Sequence, residues 1–155
     1  MVANMNAQSL DLTAKDTFRY WTDDLVRFAD LDRVGHVNNV AFAVYLETGR
    51  VDFFEHAWPG STEGKSTGWV IVRMELDFRA QGHFPNKVRI GTRITRIGRS
   101  SCTLGQGIFL GDTCIATSNS VTVWANTDDG VAVPIPDDMR AALLALSGDG
   151  PRGNG

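Results

Sequence analysis

The chain has no apolar run near the length that spans a bilayer, so no transmembrane helix is expected. Its first fifteen residues, MVANMNAQSLDLTAK, lack the basic start and the apolar block of a secretory signal. Cysteine is scarce: Cys102 and Cys114 are the only two. They fall on neighbouring predicted strands around a turn at Gly111-Asp112. That turn sets Cys114 opposite about Phe109 and away from Cys102, so no disulfide is expected. Two unpaired thiols suit a reducing cytoplasm, which is the expected compartment. There is no Gly-x-Ser-x-Gly elbow, phosphate loop or dinucleotide fingerprint; Gly105-x-Gly107 lacks the third glycine and lies within a strand pattern. The net charge of −3 gives no electrostatic reason to expect nucleic acid or an anionic membrane as a partner. His36, His56 and His83 have no ligand-like spacing, so no metal site is expected.

What remains is an ordinary globular composition. With 155 residues, 43% apolar and 21% charged, the chain suits one soluble domain with a real core. Residues 1–15 read as a flexible N-terminal arm, 16–147 as the domain and 148–155 as a disordered tail. Phe18 to Ala29 reads as a first strand. A long helix follows, capped by Asn38 or Asn39 and stopped after Trp58 by Pro59-Gly60. Its apolar positions surround most of the helix, as expected for a buried one. Gly49 in its middle is unfavourable by about 1 kcal/mol relative to alanine, which points to close approach of a sheet or a ligand. Glu47 and Arg50 are spaced to pair on the helix surface.

Beyond a polar loop, Val70, Val72, Met74, Leu76 and Phe78 alternate with Ile71, Arg73, Glu75, Asp77 and Arg79, the pattern of a half-buried strand. Lys87–Ile97, Ser100–Leu110 and Thr113–Trp124 read as further strands in hairpin succession. Val131–Val133 is a short strand end, and Asp137–Leu146 a short helix. One long helix and an antiparallel sheet of five or more strands make the class α+β. Such a sheet curls around the helix and leaves an edge and a face that a second copy can close, so a homodimer is expected.

The densest chemistry lies just before the long helix, where Asp30, Asp32, His36, Asn38 and Asn39 fall within ten residues. Acidic residues there can be plain caps and turn formers. Alternatively, a carboxylate beside the exposed amides near Asn39 and Val40 can act as base or nucleophile next to an oxyanion site.

The run DLDRVGHVNNVAFAVYLETGR resembles the signature of the hotdog-fold acyl thioesterases. It is similar to the Asp-x-x-x-His-Val-Asn-Asn pattern of acyl-carrier-protein thioesterases and to the Asp-x-Asp-x-x-Gly loop of the 4-hydroxybenzoyl-CoA thioesterase group. VIVRMELDF, IGRSSCT and PIP extend the resemblance over about residues 18–140. It implies a hotdog fold, in which a curved antiparallel sheet wraps one long central helix, working as a dimer or a dimer of dimers. Asp32 falls on the catalytic carboxylate of both groups, and His36 on the histidine of the carrier-protein enzymes. Those enzymes have an asparagine where this chain has Val34, and some short-chain acyl-CoA relatives have a histidine where this chain has Asn39.

The resemblance therefore implies hydrolysis of an acyl thioester, with acyl-CoA as substrate and no cofactor beyond the coenzyme A that the substrate carries. Asp32 would attack or activate water, the Asn39 amide would hold the thioester oxygen, and His36 would orient Asp32 or the water. Arg99, Ser100 and Ser101 sit in a turn whose counterpart in relatives lies near the nucleotide of coenzyme A, and Arg73 is a further candidate there. Phe42, Tyr45 and Leu46 are candidates for the acyl pocket or for core. Two other readings stand beside this one: hydratase or dehydratase chemistry on an acyl thioester, and a non-catalytic acyl-thioester-binding protein.

Overall fold

The computed structural model describes residues 10–63 and 65–148. The predicted tail beyond Gly148 and the first nine residues of the predicted arm lie outside the described residues. The chain runs β1 (Tyr20–Val26), α1 (Asn39–Ala57), β2 (Thr67–Phe78), β3 (Asn86–Ile97), β4 (Ser101–Leu110), β5 (Thr113–Asn126) and α2 (Asp137–Ser147). All five strands form one antiparallel sheet in the order β1-β3-β4-β5-β2. Bulges near Ile71, Ile94 and Ile108 break the ladders. Such bulges bend and twist a sheet, and this one curves around α1 in the hotdog arrangement that the resemblance implies.

The hairpin succession holds for β3, β4 and β5. It does not hold for β2, which pairs with β5 and does not pair with β3. The cause is the path of the chain: β1 occupies the free side of β3, and α1 then crosses the sheet and delivers β2 to the opposite edge. Edge position also explains why β2 departs from the half-buried strand that its alternation predicts. Val70, Ile71, Val72, Met74 and Phe78 are all exposed. The first strand stops at Val26, short of Ala29, because the chain turns into a single 3-10 turn at Phe28–Asp30. Of the predicted strand at 131–133 only one bridge forms, Ala125 with Ala132. Within the predicted arm Leu10 and Asp11 are exposed, whereas Leu12 is buried against Phe18 and Phe109.

The helix is seated by one close approach. A Cβ at Gly49 would lie 2.6 Å from Cγ2 of Ile90 and 3.0 Å from Nε2 of Gln106. Without it, α1 rests directly on β3 and β4, and Tyr45, Leu46 and Phe53 are fully buried around that point. The same approach lets the buried Gln106 amide donate to Leu46 O (3.0 Å) and to Thr92 Oγ1 (3.0 Å). Its remaining acceptor, Oε1, then faces Arg50 Nη1 at 3.3 Å. Arg50 is thus drawn inward, and the surface ion pair with Glu47 that their spacing predicts does not form. At the far end α2 packs Met139 and Leu143 against Phe53, Phe54 and Trp124. The Ser147 hydroxyl fastens it by accepting from Ile94 N at 2.8 Å. The cysteines lie as expected, with Cys114 opposite Phe109, Cys102 opposite Thr122 and both free.

Gly49→Ala should therefore push α1 off the sheet and lower the unfolding free energy by about 1–3 kcal/mol, the usual cost of overpacking a tight core contact. Denaturant unfolding measures it. A variant as stable as the wild type would mean that the helix does not depend on this contact.

Candidate active site

The loop before α1 is a miniature hairpin. Leu31 and Val37 form an isolated antiparallel bridge. Asp32 N donates to His36 O at 2.8 Å, and Gly35 N to Asp32 O at 3.1 Å. Gly35 closes the turn at φ 84°, the left-handed region that suits glycine. The Asp32 carboxylate caps this turn from inside: Oδ1 accepts from Val34 N (2.9 Å) and from His36 N (3.1 Å). Its other oxygen, Oδ2, has no hydrogen-bond partner among the described residues.

Two further ties fix the hairpin to the domain. Val37 N donates to Gly82 O at 2.9 Å, and Asn38 N to Asp30 O at 2.8 Å. Asp30 is anchored in turn, because its Oδ2 accepts from Arg27 N (2.8 Å) and from the Tyr45 hydroxyl (2.7 Å). Burial and the neighbouring carboxylate raise the Tyr45 pKa above its ordinary value, so the phenol stays a proton donor. The two aspartates therefore have different positions. The Asp30 carboxylate holds the fold together, whereas Asp32 keeps one oxygen open.

Asn38 is the helix cap. Its Oδ1 accepts from Val40 N at 3.0 Å, so the Val40 amide is occupied and the Val40 side chain is exposed. Asn39 N is the first amide of a 19-residue helix and has no intrahelical acceptor. It sits at the positive end of the helix, where an oxyanion is favoured. Asp32, His36, Val37, Asn39, Phe42, Phe78, Ala80 and Gln81 line a single cleft of about 270 Å³. The fold thus brings Asp32, His36 and Asn39 together.

His36 orients Asp32 through its backbone, by the two bonds already given. Its ring instead lies against His83, with centroids 5.4 Å apart and planes at 80°. His83 and Gln81 come from the loop between β2 and β3, and sequence spacing had no means of linking that loop to the hairpin. The signal was three-dimensional: Gly82 O receives the Val37 amide and draws the two loops together.

Of the acyl-pocket candidates, Phe42 lines the cleft and stands edge-on to Phe78 at 5.2 Å. Tyr45 and Leu46 are core. Arg99, Ser100 and Ser101 do not reach this cleft in one protomer. Ser100 O and Arg99 O accept from Trp124 N and Ile135 N, at the end of the sheet where α2 docks. Ser101 lines a separate cleft of about 220 Å³ with Arg96 and Gly98. Arg73 pairs with Glu75 on the open edge of β2. Burial pushes Cys102 up to about 11 and raises Cys114 as well, which disfavours the thiolate form at both.

Comparison with known proteins matches this architecture. Residues 26–143 fit the model of the thioesterase-like superfamily. The uncharacterized protein YsmA of Bacillus subtilis is 31% identical over 133 residues, covering 84% of this chain and 88% of that protein. A thioesterase from Thermus thermophilus, solved with coenzyme A and zinc, superposes with a TM-score of 0.77 at 32% identity, covering 86% of this chain and 97% of its own. A predicted thioesterase from Bacillus stearothermophilus gives a TM-score of 0.74 at 35% identity, covering 82% and 95%. With the family match extending from the end of β1 into α2, and so including the hairpin, the helix and the sheet around it, the chain belongs to the thioesterase-like superfamily.

Proposed function

We propose that the protein hydrolyses the thioester of an acyl-CoA in the cleft at the start of α1. The observation that carries this reading is that Asp32, which has a carboxylate oxygen without a partner among the described residues, and Asn39, which carries the first amide of the helix, line the same cleft. A thioester carbonyl directed at the Asn39 amide is polarised by the helix end, and charge developing on its oxygen is held there. Asp32 Oδ2 then either takes a proton from water as the water attacks or itself attacks to give an anhydride that water cleaves. In both routes the C–S bond breaks, the sulfur leaves as thiolate and takes a proton, and the acid and the free thiol are released. A thiolate leaves readily, which suits a site with few titrating groups. The coenzyme A bound to the Thermus relative supports a coenzyme A ester as the substrate form.

Asp32→Asn tests the mechanism. It keeps Oδ1 as an acceptor for Val34 and His36, so the hairpin survives, but it removes the base and nucleophile. We expect kcat to fall by about 10²–10⁴-fold, the range for losing a positioned acid–base group. Release of free thiol from a panel of acyl-CoAs is the assay. Undiminished thiol release would rule out this role for Asp32, and hydration of an enoyl-CoA without thiol release would move the protein to hydratase chemistry.

We further propose that β2 pairs with β2 of a second copy, making a homodimer. The edge exposes Val70, Ile71, Val72, Met74 and Phe78, beside Val40, Val44 and Val51 on the open face of α1. Isolated protomers rarely leave so continuous an apolar edge bare. Arg73 and Glu75 flank Met74 on one face of the strand. Antiparallel pairing of two copies about Met74 sets each Arg73 opposite the partner's Glu75, so the edge is charge-complementary to itself. Arg73→Glu should weaken the dimer several-fold by placing like charges opposite each other twice, and Arg73→Glu with Glu75→Arg should restore it. Sedimentation across a dilution series reads both. A monomeric wild type, or a charge swap without effect on association, would refute this pairing.

A further inference from the structure

A second cavity lies on the other side of α1, between its C-terminal half and the first half of β2. Its volume is about 340 Å³, and Glu47, Arg50, Val51, Phe54, Trp69 and Ile71 are among its lining residues. It is largely apolar, with Phe54 and Trp69 stacked at 4.4 Å. Its polar groups are unusual. Arg50 is only 8% exposed, yet among the described residues no carboxylate lies within 4 Å of it. Its acceptors are neutral: Gln106 Oε1 at 3.3 Å and Met74 Sδ at 3.8 Å, both reached by Nη1. Nε and Nη2 have no partner among the described residues. A buried cation normally has a counter-ion, because desolvation of an unpaired charge is costly. Here desolvation lowers the Arg50 pKa from its ordinary value. The Trp69 indole N–H also lacks an acceptor, but it is buried away from the cavity, so Arg50 is the donor that the cavity presents. The nearest compensating charge is Glu47, exposed at the rim.

We propose that this cavity receives the far end of an acyl group that terminates in a carboxylate, and that Arg50 is the residue that selects it. The carboxylate would supply the acceptor that Arg50 lacks, while Phe54, Ile71 and Val51 enclose the adjoining carbons. Arg50 lies eleven residues beyond Asn39, about 16 Å along the helix axis. Val40, Val44 and Val51 give an apolar track from the helix start to the cavity, along the face that the proposed second copy would roof over. Glu47 at the rim opposes an anion, so discrimination depends on Arg50 outweighing it. The inference rests on the thioester reading for the identity of the ligand, but the binding of a free dicarboxylate does not require hydrolysis.

The test has two readouts. In the first, kcat/KM is measured for ω-carboxyacyl-CoAs of increasing length against uncharged acyl-CoAs of the same length. The wild type should favour the carboxylate series at one length. Arg50→Met should cut that preference at least about tenfold, the worth of one charge-assisted hydrogen bond, while hydrolysis of the uncharged series changes little. Glu47→Gln, at an exposed position, should raise the preference, and it decides the question if Arg50→Met does not fold. Arg50→Lys should retain part of the preference. In the second readout, free dicarboxylates of matching length are titrated calorimetrically against the same proteins. Arg50-dependent dicarboxylate binding without any thioester hydrolysis keeps this site and removes the hydrolase reading. Hydrolysis with no carboxylate preference and no dicarboxylate binding overturns this proposal alone. An equal loss on both substrate series in Arg50→Met, with Glu47→Gln unchanged, also overturns it, because Arg50 would then be holding only Gln106.

Discussion

The close contact of α1 with the sheet at Gly49 sets the rest of the structure. It lets the helix backbone come within reach of the Gln106 amide, which satisfies Leu46 O and Thr92 and leaves one acceptor for Arg50. The helix axis is then fixed against β3 and β4, and its two ends become useful. The start presents an open amide beside Asp32, and the later turns carry Arg50 beneath β2. A buried polar network of this kind is tolerable because every member of its Gln106 branch is paired.

Much of this was legible in the chain. The long helix, its asparagine cap and its stop at Pro59-Gly60 follow from local chemistry, and the structure starts and ends the helix there within a residue or two. Gly49 was readable as a close approach because glycine within an apolar helix otherwise has only cost. The turn at Gly111-Asp112 located both cysteines correctly. The place of β2 was not legible, because alternation reports what a strand could bury and not which neighbour it has. Its pattern suits a strand with one face covered, yet in one protomer much of that face is open.

The site was legible in part. Asp32, His36 and Asn39 are close in sequence, and the hairpin gathers them. The separate positions of Asp30 and Asp32 were not readable, since that distinction comes from the Tyr45 hydroxyl fifteen residues away. Nor was the contact of His83 with His36, which depends on a loop beyond β2. Arg50 looked like half of a surface pair with Glu47, because helix spacing alone does not show that Gln106, fifty-six residues on, draws it inside.

The hairpin from Leu31 to Val37 has one more consequence. Its geometry is closed almost entirely by main-chain atoms and the Asp32 carboxylate, while the side chains of Arg33 and Val34 extend into solvent. Those two positions are therefore free to change without moving the carboxylate. The loop separates the atoms that hold its shape from side chains that can vary, and it places the two within consecutive residues.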